Sequence, residues 1–331
     1  MSRKIQTGKL PADMLTRLLS GAHTDSRVII GPAYGEDAAA VKFAGGVLVA
    51  AADPITFATD HIGRYAVDVN ANDIAVMGGI PRHFLATILL PQGSDESDVK
   101  TVFNDIERAC HAIDVTLIGG HTEITSAVNS VVVSGCMIGE VDEAHLISNQ
   151  GARAGDALLI AGPVAVEGTA ILANEPLPGL SVELVERARK LLDEPGIGVL
   201  RYARIAMDCG GVRAMHDPTE GGLATALREI AGASGNGAVI ERDAIPILEE
   251  CRAICEALSV DPMGLIASGS LLIAVEPTMS DRMLDRFNDS GVVAAHIGVV
   301  TGPDCGMHFT DGVELGVFER DEIARYFDSC K

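Results

Sequence analysis

The chain has 331 residues, 47% of them hydrophobic and 21% charged, which supports a globular body large enough for two cores and excludes intrinsic disorder. Its formal net charge of −21, with 4% aromatic residues and no Trp, argues against nucleic acid and anionic membrane surfaces as partners, since both need basic groups and single strands need stacking rings. The seven cysteines (110, 136, 209, 251, 255, 305 and 330) are odd in number and lack Cys-x-x-Cys spacing, and no apolar run reads as a signal peptide or a membrane span. A reduced, cytoplasmic protein is expected.

Taken in chain order, an apolar stripe predicts a helix over 11–20, and Arg27-Val28-Ile29-Ile30-Gly31-Pro32 reads as a short strand and turn. The run Gly46 to Ala51 predicts a buried strand that stops before Asp53-Pro54. A helix follows from Arg64 to Met77, ended by Gly78-Gly79-Ile80-Pro81, then a strand over 84–90. Val99, Val102, Phe103, Ile106, Ala109, Cys110 and Ile113 recur at helical spacing and form the clearest amphipathic helix of the chain. It leads to a strand, Val115 to Ile118, and a loop, Gly119-Gly120-His121-Thr122-Glu123. After a further strand given by 131–133 and 137–138, the turn-rich stretch 147–156 places a domain boundary, giving domains 1–150 and 151–331. The second half carries helices near 181–193, 197–208, 219–233 and 279–290 and strands near 157–161, 237–241, 270–275 and 293–298. Strands and helices mix in both halves, so the fold class is α+β, built of two α/β domains.

Several polar residues stand where chemistry can be done. Gly35-Glu36-Asp37 puts adjacent acids in a glycine turn before a strand, Asp53 sits at a strand end, and Asp73 lies mid-helix among Ala71, Ile74 and Ala75. A carboxylate on so small and apolar a helix needs a partner, and Asn70 shares its face. Asp37, Asp53, Asp73 and Glu123 are four oxygen donors that can serve one or two Mg²⁺ ions bridging nucleotide phosphates. The glycine pair before His121 suits close approach of backbone to phosphate, and equally an ordinary tight turn. His121 reads as a substrate-facing residue, because no second histidine stands at metal-site spacing. In Asp217-Pro218-Thr219-Glu220-Gly221-Gly222, Asp217 is near an N-cap and Pro218 is at the first helical position; glycines in a first turn cost about 1 kcal/mol each against alanine, which suggests that something approaches there. Walker, dinucleotide-binding and nucleophile-elbow motifs are absent.

In order, Gly35-Glu36-Asp37-Ala38-Ala39, Asp53, Asn72 to Gly79, Gly119 to Glu123, Gly151 to Asp156 and Asp217 to Leu223 resemble the landmarks of the aminoimidazole ribonucleotide synthetase (PurM-like) ATP-binding superfamily over about residues 28–310. The resemblance implies a homodimer formed through the N-terminal sheet, a C-terminal α/β domain, and Mg-ATP as cofactor, with phosphorylation of an oxygen as the chemistry. Asp37, Asp53, Asp73 and Glu123 would then hold metal. Asn70, Gly119, Gly120, Thr122, Asp217, Gly221 and Gly222 would line the nucleotide and substrate site. The Asp217 to Leu223 segment looks most like the HypE group of hydrogenase maturation factors, carbamoyl dehydratases whose C-terminal cysteine bears a thiocarboxamide. That likeness makes Cys330 a protein-tail substrate, with His121 as the other reacting-site residue, and implies a carbamoyltransferase and hydrogenase assembly proteins as partners. A thiamine-monophosphate-kinase-like enzyme or ligase acting on a small molecule, and a nucleotide-binding assembly partner without turnover, are the alternatives. His121 in place of the kinases' acid disfavours the first of them.

Overall fold

The computed structural model describes residues 16, 26–31, 33, 35–56 and 61–329. The helix expected over 11–20, apart from Thr16, and Cys330 lie outside these residues. The chain divides into two compact units, the first holding described residues 26–31, 37–56 and 61–146, the second 33, 35–36 and 147–329. Each is a mixed sheet with helices, so the fold is α+β.

The first unit runs β1 Val28–Ile30, β2 Ala39–Phe43, β3 Gly46–Ala51, β4 Pro54–Ile55, α1 Ile62–Val76, β5 Ile80–Pro91, α2 Glu96–Ala112, β6 Thr116–Thr125 and β7 Val132–Val141. Its sheet is ordered β1-β2-β3-β7-β5-β6 with β4 beside β7. Among the described strands of this sheet only β5 and β6 are parallel, as the intervening helix α2 requires. That helix starts at a capping box: the Asp95 carboxylate accepts from the Ser97 and Asp98 amides, and Asp98 accepts from the Asp95 amide in return. Period-two alternation sends Phe84, Ala86, Ile88 and Leu90 of β5 and Val133 and Met137 of β7 into the core with Ala66, Val67, Ala71 and Ile74 of α1. Leu48, Leu85, Leu89, Cys136 and Ile138 point to the opposite face and are only partly buried.

One sequence expectation holds here and one changes. The strand expected from 131–133 and 137–138 is β7, in which Ser134, Gly135 and Cys136 keep the alternation although they break the apolar run. Residues 119–123 are not a loop but the middle of the edge strand β6. Leu117 pairs with Phe84 and Gly119 with Leu85, so Ile118 is an extra residue bulged out of the ladder.

The second unit contains β8 Ala157–Ala161, α3 Val166–Leu172, α4 Val182–Arg189, α5 Leu200–Cys209, β9 Val212–His216, α6 Gly222–Ser234 and β10 Gly237–Ile240. There follow α7 Glu249–Leu258, β11 Leu271–Val275, α8 Ser280–Asp289, β12 Ala294–Thr301, β13 Met307–Phe309 and α9 Glu322–Ser329. The order is β13-β10-β12-β8-β11-β9. Strands β8 and β11 are buried at every position, which explains their unbroken Ala-Leu-Leu-Ile-Ala and Leu-Leu-Ile-Ala-Val sequences. β11 is antiparallel to both β8 and β9, so these two run the same way and end at the same edge of the sheet. Helix α6 begins three to four residues later than expected: Gly221 is its N-cap, not Asp217, and Pro218 lies in the preceding loop. Gly221 and Gly222 have φ of 81° and 63°, a left-handed pair from which a right-handed helix can start but through which none can run.

Candidate functional site

In the first unit, Asn70 is fully buried on α1, and its side-chain amide bonds the backbone of Asp53 and Ala66. Its Oδ1 accepts from the Asp53 amide at 2.9 Å, and its Nδ2 donates to the Asp53 carbonyl at 3.1 Å and to the Ala66 carbonyl at 2.8 Å. Gly135 of β7 makes room for it, since a Cβ there would stand 2.5 Å from Nδ2. Asn70 therefore fixes the backbone of Asp53, an exposed residue. Asp73 is buried one turn further along α1. Asp37 is half-buried just before β2.

Glu123 is not brought to this group. Pro54, next to Asp53, lies in one cross-strand row with Ser134, Thr87 and His121, three strand spacings or about 14 Å from end to end. Two Mg–O bonds of about 2.1 Å and the side chains' own length do not span that gap within one chain. Glu123 pairs instead with His121, Nε2 to Oε2 3.5 Å, and both are exposed on the edge strand. Beside them β6 and α2 enclose a cleft of about 410 Å³ lined by Ala86, Phe103, Ile118, Gly119, Gly120 and Thr122 among others. The two glycines have a packing reason of their own at position 120: a Cβ there would lie 1.9 Å from the Ala86 carbonyl oxygen.

In the second unit, the loop from β9 to α6 is flanked by groups that the sequence reading missed. His216 at the end of β9 and Glu229 on α6 are buried and joined, Nε2 to Oε2 2.6 Å. The signal was present in the sequence as a glutamate among Ala226, Leu227 and Ile230 on a buried helix stripe, where a carboxylate needs a partner. Asp217 follows His216 and is likewise buried. Gly35-Glu36, read as a turn of the first domain, belongs to this unit: the Gly35 carbonyl accepts from Asn149 Nδ2 at 2.7 Å, and Glu36 Oε1 accepts from Ser148 Oγ at 2.7 Å and Gln150 Nε2 at 3.0 Å.

The amide of Gly221 is already engaged. Asp321 accepts from it through Oδ2 at 2.7 Å and from the Ile323 amide through Oδ1 at 2.8 Å, so one carboxylate caps both α6 and α9. Burial pushes Asp321 up to about 6 against the pull of these amides. Glu167, in the first turn of α3, is pushed to about 7, chiefly by burial and further by Asp321 and Glu220, with a Ser268 hydrogen bond opposing. Its Oε2 is buried without a hydrogen-bond partner. Such an acid is uncharged in both folded and unfolded chains below pH 4.5 and ionised in both above 7, so the penalty develops as pH rises between these values and reaches about 3 kcal/mol. Glu167→Gln is expected to raise the melting temperature at pH 8 and to leave it unchanged at pH 4, measured by thermal unfolding across that range.

Residues 35–141 match the family model of the AIR synthase related protein N-terminal domain, and residues 153–308 that of its C-terminal domain. A putative hydrogenase expression/formation protein of Methanocaldococcus jannaschii is 32% identical over 75% of this chain and 72% of its own length. The carbamoyl dehydratase HypE of Cupriavidus necator is 32% identical over 83% of this chain and 79% of its own. A solved structure of the hydrogenase maturation protein HypE in complex with ATP superimposes with a TM-score of 0.71 at 24% identity, covering 93% of this chain and 95% of that one, a likeness of fold. The chain belongs to the AIR synthase related, or PurM-like, family, in which it is similar to the HypE proteins. No helix among the described residues is long and apolar enough to cross a membrane.

Proposed function

We propose that the chain is an ATP-dependent enzyme of HypE type that dehydrates a carbamoyl group carried on a cysteine to a nitrile, in the maturation of a hydrogenase. The observation that carries the reading is the 32% identity to a carbamoyl dehydratase along most of both chains. Cys330 is the carrier in this reading, and a carbamoyltransferase supplies the group. ATP phosphorylates the carboxamide oxygen, which makes it a leaving group, and Mg²⁺ offsets the charge on the phosphates. Asp53 and Asp73, with Asp37, offer the hard oxygen donors such an ion takes, and Glu123 and His121 act at the edge strand. The partly covered sheet face of Leu48, Leu85, Leu89, Cys136 and Ile138 is the surface through which two chains pair as a homodimer.

The test is intact-mass analysis of the C-terminal peptide after incubation with ATP, carbamoyl phosphate and a carbamoyltransferase. Carbamoylation followed by loss of one water equivalent is expected, and Cys330→Ala abolishes both. Phosphate release on a small-molecule acceptor with an unmodified tail would instead establish the kinase-like alternative. Asp73→Asn is expected to weaken Mg-ATP binding at least about tenfold in calorimetry, a loss of one charged oxygen ligand from a metal site. Unchanged affinity removes Asp73 from that site.

A further inference from the structure

Helix α7 of the second unit buries one face and exposes the other. Cys251, Ile254 and Cys255 are buried, Arg252, Glu256 and Ala257 are exposed, and Leu184 and Val185 of α4 pack against the buried cluster. The two cysteines stand four residues apart and therefore share the covered face. Their sulfurs are 3.8 Å apart and share a hydrogen bond. With Cys255 as its donor, that bond holds the Cys251 sulfur below its ordinary thiol value and pushes the Cys255 thiol up, so Cys251 is the nucleophile of the pair. Alanine or valine would serve a core that needs only volume; what a cysteine adds is reactivity.

A bond between the two sulfurs does not fit an undisturbed helix. Residues four apart on a helix have Cβ atoms about 5–6 Å apart, whereas a disulfide takes about 3.5–4.5 Å. Closing the bond pulls the turn 251–255 out of regular helix, and a bond closed in this way is readily reduced again. The distortion falls where α9 is fastened. The Cys255 carbonyl accepts from the Val260 amide at 3.0 Å, across Ser259, whose φ of 54° ends α7. The Ser259 carbonyl accepts from Arg325 Nη2 at 2.7 Å, the Asp261 amide donates to Glu322 Oε2 at 2.9 Å, and the Gly264 carbonyl accepts from the Glu322 amide at 3.1 Å. Glu322 and Arg325 belong to α9, so the segment that caps one helix anchors the other.

We propose that Cys251 and Cys255 are an oxidation site, closed to a reversible disulfide by a peroxide, and that the closed bond loosens α9 from the second unit. The Cys251 thiolate attacks one peroxide oxygen, the O–O bond breaks, and the departing hydroxide takes up the Cys251 proton as water, leaving a sulfenic acid. The Cys255 sulfur then attacks the Cys251 sulfur; the S–S bond forms, the S–O bond breaks, and the hydroxyl leaves with the Cys255 proton as a second water. Two thiols lose two electrons and one peroxide becomes two waters. Both sulfurs are almost fully covered, so attack waits on a brief opening of α7, a ten-residue helix held by its packing. Helix α9 ends at Ser329, so oxidation frees the segment that leads to Cys330, whatever reaction that residue undergoes.

The experiment treats the full chain with hydrogen peroxide at a dose that oxidises the exposed Cys305, alkylates the remaining thiols in denaturant and maps the unreduced tryptic digest, beside hydrogen exchange of α9. Wild type, Cys251→Ser and Cys255→Ser are compared. Cleavage after Arg252 separates the two cysteines, so the bond is read as two joined peptides, lighter than their sum by two hydrogens and parted by dithiothreitol. Expected in wild type are this joined pair and amide exchange over 325–329 at least about tenfold faster than in the reduced chain, with neither change in the serine variants. Reduced and oxidised wild type are one chain, so the comparison holds even where a serine variant fails to fold. Recovery of Cys251 and Cys255 as alkylated free thiols from the treated wild type overturns the site. A joined pair with α9 exchange within about twofold of the reduced chain overturns the coupling to α9.

Discussion

Gly120→Ala is expected to destabilise the first unit by about 4 kcal/mol and Gly119→Ala by only about 1 kcal/mol, although the two glycines are neighbours in one strand. Both have positive φ, 147° at Gly120 and 154° at Gly119, so each substitution strains the backbone. Only at 120 does the new Cβ collide with backbone, at 1.9 Å from the Ala86 oxygen and 2.9 Å from its nitrogen; at 119 it meets nothing within 4 Å. Relief at 120 requires β6 to move off β5, and among the described residues β6 has no second neighbouring strand to hold it. Urea unfolding of the two variants measures the difference. Equal and small losses of stability, joined to a loss of ATP affinity in both, would show that the pair serves a ligand and not the strand.

That comparison also marks where sequence reading stopped. The α2 stripe was legible because seven apolar positions repeat at one period over fifteen residues, and the strands β3, β8 and β11 because their apolar runs are unbroken. Two glycines after Ile118 look the same whether the chain turns or bulges, since both use positive φ; the register against β5 decides, and register is not written in one strand. Asp53 and Asn70 were readable as polar residues in apolar settings, but their union depends on α1 crossing the end of β3. The assignment of Gly35-Glu36 to the second unit was hidden because a domain boundary drawn along the chain cannot place an early segment with a late one.

The same reasoning applies to acids whose partners are far away in sequence. Asp321 stands a hundred residues beyond the glycine it caps, and a sequence scan for N-caps looks only at the residues just before a helix. The family's motif order points to the loop Asp217 to Gly222, while the groups that fix that loop, Asp321, Glu229 and His216, belong to no motif quoted for it. Physical reading of burial finds them: each is a polar side chain that could not stay buried without a specific partner.

Glu229→Ala is therefore expected to cost about 3–4 kcal/mol, the second-largest effect among these substitutions. The pair is buried, its 2.6 Å contact is short for a nitrogen–oxygen bond, and removal of the carboxylate leaves the Nε2 of His216 without that acceptor in a site that water does not reach freely. The consequence extends to Asp217, because His216 is the last residue of β9 and its ring is the tie between that strand end and α6. Loosening the tie frees the Asp217-Pro218-Thr219 segment, which the family resemblance places at the nucleotide and substrate site, so turnover should weaken together with stability. Glu229→Leu combined with His216→Phe removes both polar groups and restores apolar volume. It is expected to be more stable than Glu229→Ala alone, yet no better in ATP-dependent turnover. A double-mutant cycle in urea, run beside the tail-mass assay, reads both quantities. A coupling below about 0.5 kcal/mol would mean that the two side chains merely lie side by side.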